Sequence, residues 1–143
     1  MNTFRHVLVA TDFAESSQRA LDFALALANR LRAKLTLVHA AEIPAYAYEA
    51  FVYPTAEVVN ALNASARRQL NTLLASVQKT LPDADAILRH GAAWQQILST
   101  AEQTRADLIV IGTHGRTGAS RALLGSVAER VVRLSPVPVM VVH

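Results

Sequence analysis

Hydrophobic positions along the 143-residue chain alternate between two spacings, one typical of buried strands and the other of amphipathic helices. Short, nearly continuous apolar runs predict parallel strands, because both faces of such strands are covered by helices. There are five of them: His6–Ala10, Lys34–Ala40, Ala86–His90, Asp107–Gly112 and Val137–Val142. The third run is the least apolar, and we therefore expect it near an edge of the sheet.

The segments between these runs carry apolar residues at the three- and four-residue spacing of helices. We expect Ser16 or Ser17 to cap the first helix. The longest helix is predicted over residues 55–81, before Pro82, and Gly91 turns the chain into the next one. The last helix is defined by its apolar residues, which are Leu124, Val127, Val131 and Leu134.

This strand–helix alternation predicts an α/β fold, a three-layer α/β/α sandwich with a five-stranded parallel sheet. We expect a Rossmann-like or flavodoxin-like arrangement with strand order 3-2-1-4-5, formed by residues 1–143 as a single domain. The composition, 52% hydrophobic and 17% charged, fits a folded domain and excludes a disordered segment. The chain contains no cysteine, which excludes disulfides and thiolate metal sites.

No targeting or membrane segment is predicted. The first residues run directly into the apolar strand, without the long apolar region and cleavage site of a signal peptide. The longest apolar stretch, residues 20–28, is interrupted by Asp22 and is far too short to span a bilayer. We therefore expect a cytoplasmic protein.

Four of the five glycines fall within residues 112–125, between a predicted strand and a predicted helix. Free N–H groups at a helix start bind anions, and glycine lets the backbone approach a phosphate closely. The segment contains neither a Walker A sequence nor G-x-G-x-x-G, so those two phosphate motifs are excluded. These residues favour a phosphate-binding loop, with a structural glycine loop as the alternative.

The net charge of +3 arises from residues 112–143, which contain four arginines and a single acidic residue, Glu129. For Arg116, inside the glycine-rich segment, we favour contact with an anion. Arg130 and Arg133 fit equally well on a solvated helix face, because cations suit the C-terminal end of a helix.

The spacing G-x2-G-x9-G-S is filled by Gly112, Gly115, Gly125 and Ser126, and it resembles the ATP-binding signature of the universal stress protein family. Residues 7–13 with Ser16 resemble the family's opening strand and acidic loop, and residues 137–142 resemble its closing strand. The resemblance therefore covers essentially the whole chain.

What the resemblance implies is an ATP site, with Asp12 beside the ribose or a phosphate-bound Mg²⁺ ion. Asp12 could equally cap the first helix, and the two roles are compatible. The resemblance implies ten binding residues, and we include Arg116 because of its positive charge. The expected binding residues are then Ala10, Asp12, Ala40, Ile111, Gly112, His114, Gly115, Arg116, Gly125, Ser126 and Val127. For His114, an exposed loop position is the alternative to phosphate contact.

Three hypotheses for function follow. The first is a stress-response protein that acts as an ATP-dependent switch or sensor. The second is a protein-interaction module that uses the aromatic loop containing Tyr46, Tyr48, Phe51 and Tyr53, whose alternative role is packing on the long helix. The third is a slow ATPase, for which no catalytic residue can be assigned.

Two expectations concern partners. Residues 137–142 are apolar on both faces and contain Pro138, which favours a sheet edge. Pairing with the same strand of a second chain would cover that edge, and the family resemblance also implies a homodimer of this kind. Nucleic acid is not an expected partner, because the arginine excess lacks interleaved aromatic residues for base stacking.

Overall fold

The computed structural model of the chain describes residues 3–42, 55–114 and 123–143. Strands and helices alternate throughout these ranges. In chain order they are β1 (His6–Ala10), α1 (Glu15–Leu31), β2 (Lys34–Ala41), α2 (Ala56–Gln78), β3 (Asp85–His90), α3 (Ala93–Thr104), β4 (Leu108–Gly112), α4 (Ser126–Leu134) and β5 (Val139–Val142). No described helix has the length and hydropathy that a bilayer crossing would require.

All neighbouring strands are parallel, and their order is β3-β2-β1-β4-β5. The predicted α/β class and strand order are therefore confirmed, and β3 lies at an edge as expected. The strand order reverses direction between β1 and β4. In sheets of this kind, ligands bind beside the carboxyl ends of the strands at such a switch point.

The two faces of the sheet carry separate apolar clusters, because alternate residues of each strand point to opposite sides. Val7 and Val9 pack with α1 and α2, whereas Leu8 packs on the side of α3 and α4. Every residue of β1 and of β4 is buried. Helices on both faces therefore explain why these strands are continuous apolar runs rather than alternating ones.

The predicted cap of the first helix is wrong. α1 begins two or three residues earlier than expected, with Ala14 at the N-cap position, and both Ser16 and Ser17 lie buried inside its first turn. The Ser17 hydroxyl instead donates to the Ala14 carbonyl (3.0 Å). Asp12 Oδ1 accepts the N–H of Ala14, the N-cap residue itself (3.0 Å), and the alanine side chain cannot cap the first turn.

Two helix boundaries also differ from the predictions. α2 ends at Gln78, three residues before Leu81, and Lys79 is its C-cap residue. The N–H groups of Thr80 and Leu81 both donate to the Val77 carbonyl, so the chain closes in a turn before it reaches the proline. Leu62, an apolar residue of α2, is 55% exposed. Leu124 lies outside α4 and is also exposed, since the helix starts only at Ser126, after Gly125 at the N-cap.

Candidate functional site

A cavity of about 790 Å³ opens at the carboxyl edge of the sheet, beside the switch point between β1 and β4. This volume lies in the range of small-molecule sites. Its floor is formed by residues at and just beyond the ends of β1, β2 and β4. One side is lined by α2, through Leu62, Ser65, Ala66 and Gln69, and the other by the starts of α3 and α4.

Nine of the eleven predicted binding residues line this one cavity: Ala10, Asp12, Ala40, Ile111, Gly112, His114, Gly125, Ser126 and Val127. The remaining two, Gly115 and Arg116, lie outside the described residues. So do the aromatic residues of the loop proposed as an interaction surface, Tyr46, Tyr48, Phe51 and Tyr53.

Gly112 is required by a close approach between β4 and α1. A Cβ at this position would lie 2.5 Å from Ser16 Oγ, 2.7 Å from the Ser16 carbonyl oxygen and 2.8 Å from its carbonyl carbon. The Ser16 hydroxyl accepts the His114 N–H (3.2 Å), so it also holds the first residues of the glycine-rich segment. The first glycine of the motif thus has a packing role, whatever its role in binding.

The loop between β1 and α1 is held in a sparsely populated backbone conformation. Phe13 has a φ of 65°, and its N–H donates to the Thr11 hydroxyl (3.1 Å). The Phe13 ring lies 4.4 Å, centroid to centroid, from the His39 imidazole, whose Nδ1 donates to the Thr11 carbonyl (2.7 Å). Left-handed conformations in non-glycine residues are frequent at functional sites. Here the conformation fixes Asp12 at the cavity wall.

The N-termini of all four helices lie at this edge, because the strands are parallel. Each helix start presents N–H groups without an acceptor inside the helix. At three of the starts a described side chain accepts one N–H group, which at α1 is the N–H of the N-cap residue Ala14 itself. The N–H donors and their acceptors are Ala14 with Asp12, Val58 with Thr55 Oγ1 (3.3 Å), and Ala93 with the Glu42 carboxylate.

At the start of α4 the N-cap residue is Gly125, whose N–H donates to the Thr113 carbonyl (2.7 Å). No side chain among the described residues accepts an N–H group from the first turn of this helix. Ser126, Val127 and Ala128 of that turn all line the cavity. Glu129, also in the first turn, pairs instead with Arg133 (3.5 Å) and does not line the cavity. The N–H groups of α4 are therefore the ones best placed to bind an anion.

His114 brings a second polar group to the cavity. Its side chain is half-buried, and Nδ1 has no hydrogen-bond partner among the described residues. This nitrogen has almost no solvent-accessible surface, so a ligand in the cavity would reach it only after the side chain rearranged. Arg130 and Arg133, by contrast, are both used elsewhere: Arg130 lies 5.7 Å from the centroid of the Trp94 ring.

Sequence reasoning missed Glu42, Phe13 and the α2 side chains that line the cavity. Glu42 could have been found, because it directly follows a strand whose carboxyl end faces the site. Among residues 3–42, 55–114 and 123–143, no group of three His, Asp or Glu side chains could hold a metal ion on its own. A cation here would need ligand oxygens in addition to those of the protein.

The strand order, the covering helices and the switch point define a Rossmann-like α/β protein with a cavity at the carboxyl edge of its sheet. Residues 3–143 match the profile of the universal stress protein family. The chain belongs to this family, as its sequence resemblance implied.

Individual relatives agree over nearly the full length. The chain is 34% identical over 142 residues to a Thermus aquaticus protein, "Universal stress protein in QAH/OAS sulfhydrylase 3'region", covering 98% of this chain and 99% of the relative. The fold of the present chain is similar to that of universal stress protein UspA from Lactobacillus plantarum, with a TM-score of 0.84, 25% identity and full coverage of both chains. A universal stress protein in complex with cAMP has a TM-score of 0.70 at 25% identity, with 99% of each chain covered.

Proposed function

We propose that this universal stress protein binds an adenine nucleotide, ATP with Mg²⁺, in the cavity and acts as a nucleotide-dependent switch or sensor in a stress response. The observation that carries the proposal is the start of α4, which offers N–H groups to the cavity without a described side chain to accept from them. The related structure that holds cAMP supports an adenine nucleotide as the ligand class.

The other helix starts indicate which end of the cavity would hold the phosphates and which would hold the base. The Glu42 carboxylate occupies the start of α3 and would repel a phosphate there, whereas Asp12, before α1, would approach a phosphate only through a bridging cation. The phosphates would therefore lie on Ser126 and Val127, with His114 also in the cavity lining. The base and ribose would occupy the opposite part, against Ala10 and Ala40, whose small side chains leave room for a planar ring.

Asp12 is the residue we assign to the Mg²⁺ ion. Mg²⁺ in nucleotide sites takes one or two carboxylates together with phosphate oxygens and water. The described lining contains two carboxylates, Asp12 and Glu42, and only Asp12 lies next to the switch point between β1 and β4. A single carboxylate agrees with the lack of a three-residue metal cluster among the described residues.

The sharpest test exploits Ser126, the first residue of α4. Proline is well tolerated there, and Gly125, with φ −61° and ψ 155°, already has the conformation that a following proline requires. Ser126→Pro removes the N–H and the hydroxyl, whereas Ser126→Ala removes the hydroxyl alone. Because a charge-assisted hydrogen bond contributes about 1.5–3 kcal/mol, Ser126→Pro should weaken ATP binding about 10- to 100-fold relative to Ser126→Ala.

Isothermal titration calorimetry with ATP, ADP, AMP and cAMP, each with and without Mg²⁺, measures these affinities. A wild-type chain that binds none of the four overturns the proposal. Equal affinities for Ser126→Pro and Ser126→Ala would leave nucleotide binding in place but remove its assignment to the start of α4. Thermal unfolding of both variants checks that the helix is intact.

We further propose a homodimer formed through residues 137–142. β5 is the last strand in the sheet order, and its four residues are half-buried valines and methionine. Pro138 gives its carbonyl to the Ile109 N–H (3.0 Å), on the side of β4, which leaves the other edge of the strand for a second chain. Sedimentation that detects only a 15.5 kDa species at micromolar concentration would contradict the dimer.

A further inference from the structure

A buried histidine lies at the amino edge of the sheet, opposite the cavity. His6, the first residue of β1, is 9% exposed and has hydrogen-bond partners on both ring nitrogens. Nδ1 lies 3.1 Å from the Thr104 carbonyl oxygen at the end of α3, and Nε2 lies 2.7 Å from the Thr36 hydroxyl on β2. A carbonyl oxygen can only accept, so Nδ1 carries a proton in every state that keeps this contact.

Thr36 continues the chain of contacts to a carboxylate. It is fully buried, and its hydroxyl oxygen lies 2.5 Å from Asp85 Oδ1, across the paired strands β2 and β3. The other oxygen of Asp85 pairs with Lys34 (3.2 Å), and both of these side chains are about half exposed. One hydroxyl thus bridges an imidazole and a carboxylate from three adjacent strands.

Counting protons shows that these contacts depend on protonation. A neutral His6 with its proton on Nδ1 leaves Nε2 as an acceptor, and an ionised Asp85 is also an acceptor. The Thr36 hydroxyl has a single proton and can serve only one of them. When a proton from water binds to Nε2, the imidazole donates to Thr36 and the hydroxyl donates to Asp85, so that both bonds form.

We propose that His6, Thr36 and Asp85 form a hydrogen-bond relay, in which a hydroxyl changes its acceptor and no proton passes between the side chains, and that this relay makes the amino edge of the sheet sensitive to acid. Thr36 carries the influence of the carboxylate to the imidazole: its hydroxyl turns from Nε2 to Asp85 as His6 gains a proton. The relay concerns the edge remote from the cavity and does not depend on nucleotide binding.

Burial and the charges around His6 determine whether stability rises or falls as the pH is lowered. Burial lowers the pKa of His6 from its ordinary value of 6.5, and Lys34 acts in the same direction. The Thr104 carbonyl, Asp85 and Asp107 act against this shift. The unfolded chain therefore takes up the proton first, so stability is complete above about pH 6.5 and is lost as the pH falls from there through the lowered pKa of His6.

Two substitutions test the relay. Thr36→Val keeps the shape of the side chain and leaves Asp85 charged, but it removes the bridge. Asp85→Asn keeps an acceptor for Thr36 and removes the charge. Asp83→Asn, an exposed carboxylate two residues earlier, is the matched control. Nuclear magnetic resonance titration of the His6 ring in the full chain, together with urea unfolding at several pH values, provides the measurements.

We expect both Thr36→Val and Asp85→Asn to lower the pKa of His6 further and to steepen the loss of stability in acid, and Asp83→Asn to change neither. A shift in Asp85→Asn without one in Thr36→Val would mean that the carboxylate acts through space, which overturns the relay. A wild-type His6 that titrates at its ordinary value, or that carries its neutral-state proton on Nε2, overturns it as well.

Discussion

The two ends of the sheet are built from the same parallel strands but have opposite chemistry. At the amino edge, polar side chains pair with each other and with the backbone: the Asp107 carboxylate accepts the N–H groups of Arg5 (2.9 Å) and His6 (3.0 Å). At the carboxyl edge, small residues such as Ala10 and Ala40 leave a cavity, and the first turn of α4 keeps N–H groups that no described side chain accepts. One edge stabilises the fold, and the other leaves hydrogen-bonding capacity for a ligand.

The largest effect we predict comes from Gly112→Ala at the carboxyl edge. The new Cβ would overlap both the side chain and the backbone of Ser16, so we expect a loss of about 3 kcal/mol in the free energy of unfolding. Because the carbonyl carbon and oxygen of Ser16 lie within 2.8 Å of the Cβ position, adding Ser16→Ala should not restore stability. Urea unfolding that finds Gly112→Ala as stable as the wild type would contradict this packing role.

Asp107→Ala changes the amino edge and should lower the stability of the protein without changing its affinity for ATP. Removing the acceptor of two N–H groups should cost about 2 kcal/mol, because hydrogen bonds to charged groups contribute about 1.5–3 kcal/mol. Asp107→Asn, which retains one acceptor oxygen, should fall between it and the wild type. ATP affinity, measured by calorimetry well below the unfolding temperature, should be unchanged in both. A parallel loss of affinity would mean that the two edges are coupled.

Asp12→Asn tests the cation at the carboxyl edge. The asparagine side-chain oxygen can still accept the Ala14 N–H, so the loop before α1 should keep its conformation. In the presence of Mg²⁺ we expect ATP affinity to fall about tenfold, or about 1.4 kcal/mol, and to fall much less when Mg²⁺ is absent. Equal losses in both conditions would assign Asp12 to the ribose instead of the metal ion.

Glu42→Gln should have the smallest effect. The amide oxygen can still accept the Ala93 N–H, but the favourable charge at the start of α3 is lost, at a cost of about 0.5 kcal/mol in stability. ATP affinity should rise slightly, since a negative charge that lines the cavity is removed. Glu57→Gln, at the start of α2 but outside the cavity lining, is the matched control for binding. A fall in affinity would show that Glu42 contacts the ligand directly.

The sequence predicted the layers and strand order because every buried strand is a short apolar run and every helix has an apolar stripe. It also identified residues at strand ends, such as Asp12 and Gly112, since the ends of parallel strands meet at one edge. Helix starts were harder to predict. The α1 serines have the right residue type for a cap, yet Ser16 is buried against Gly112, a contact between residues 96 positions apart that no local pattern reveals.

The relay at His6 could not be predicted for a similar reason. Its members come from three strands and meet only through the register that pairs Thr36 with Asp85. His6 reads locally as the first residue of an apolar run, and nothing in its neighbours indicates that both ring nitrogens are engaged. Sequence spacing identifies which residues share a strand end, whereas hydrogen bonds between strands depend on the register of the sheet.

The contact between Glu42 and the Ala93 N–H gives the cavity a polarity of its own. Among the described residues, a carboxylate accepts from the start of α3 and none accepts from the start of α4, so the lining at α4 is the more favourable part for negative charge. For the nucleotide ligand that we propose, this difference favours a molecule with a single anionic end over one with anionic groups at both ends. Among cellular nucleotides, this asymmetry would select those with one phosphate chain over dinucleotides that carry an additional terminal phosphate.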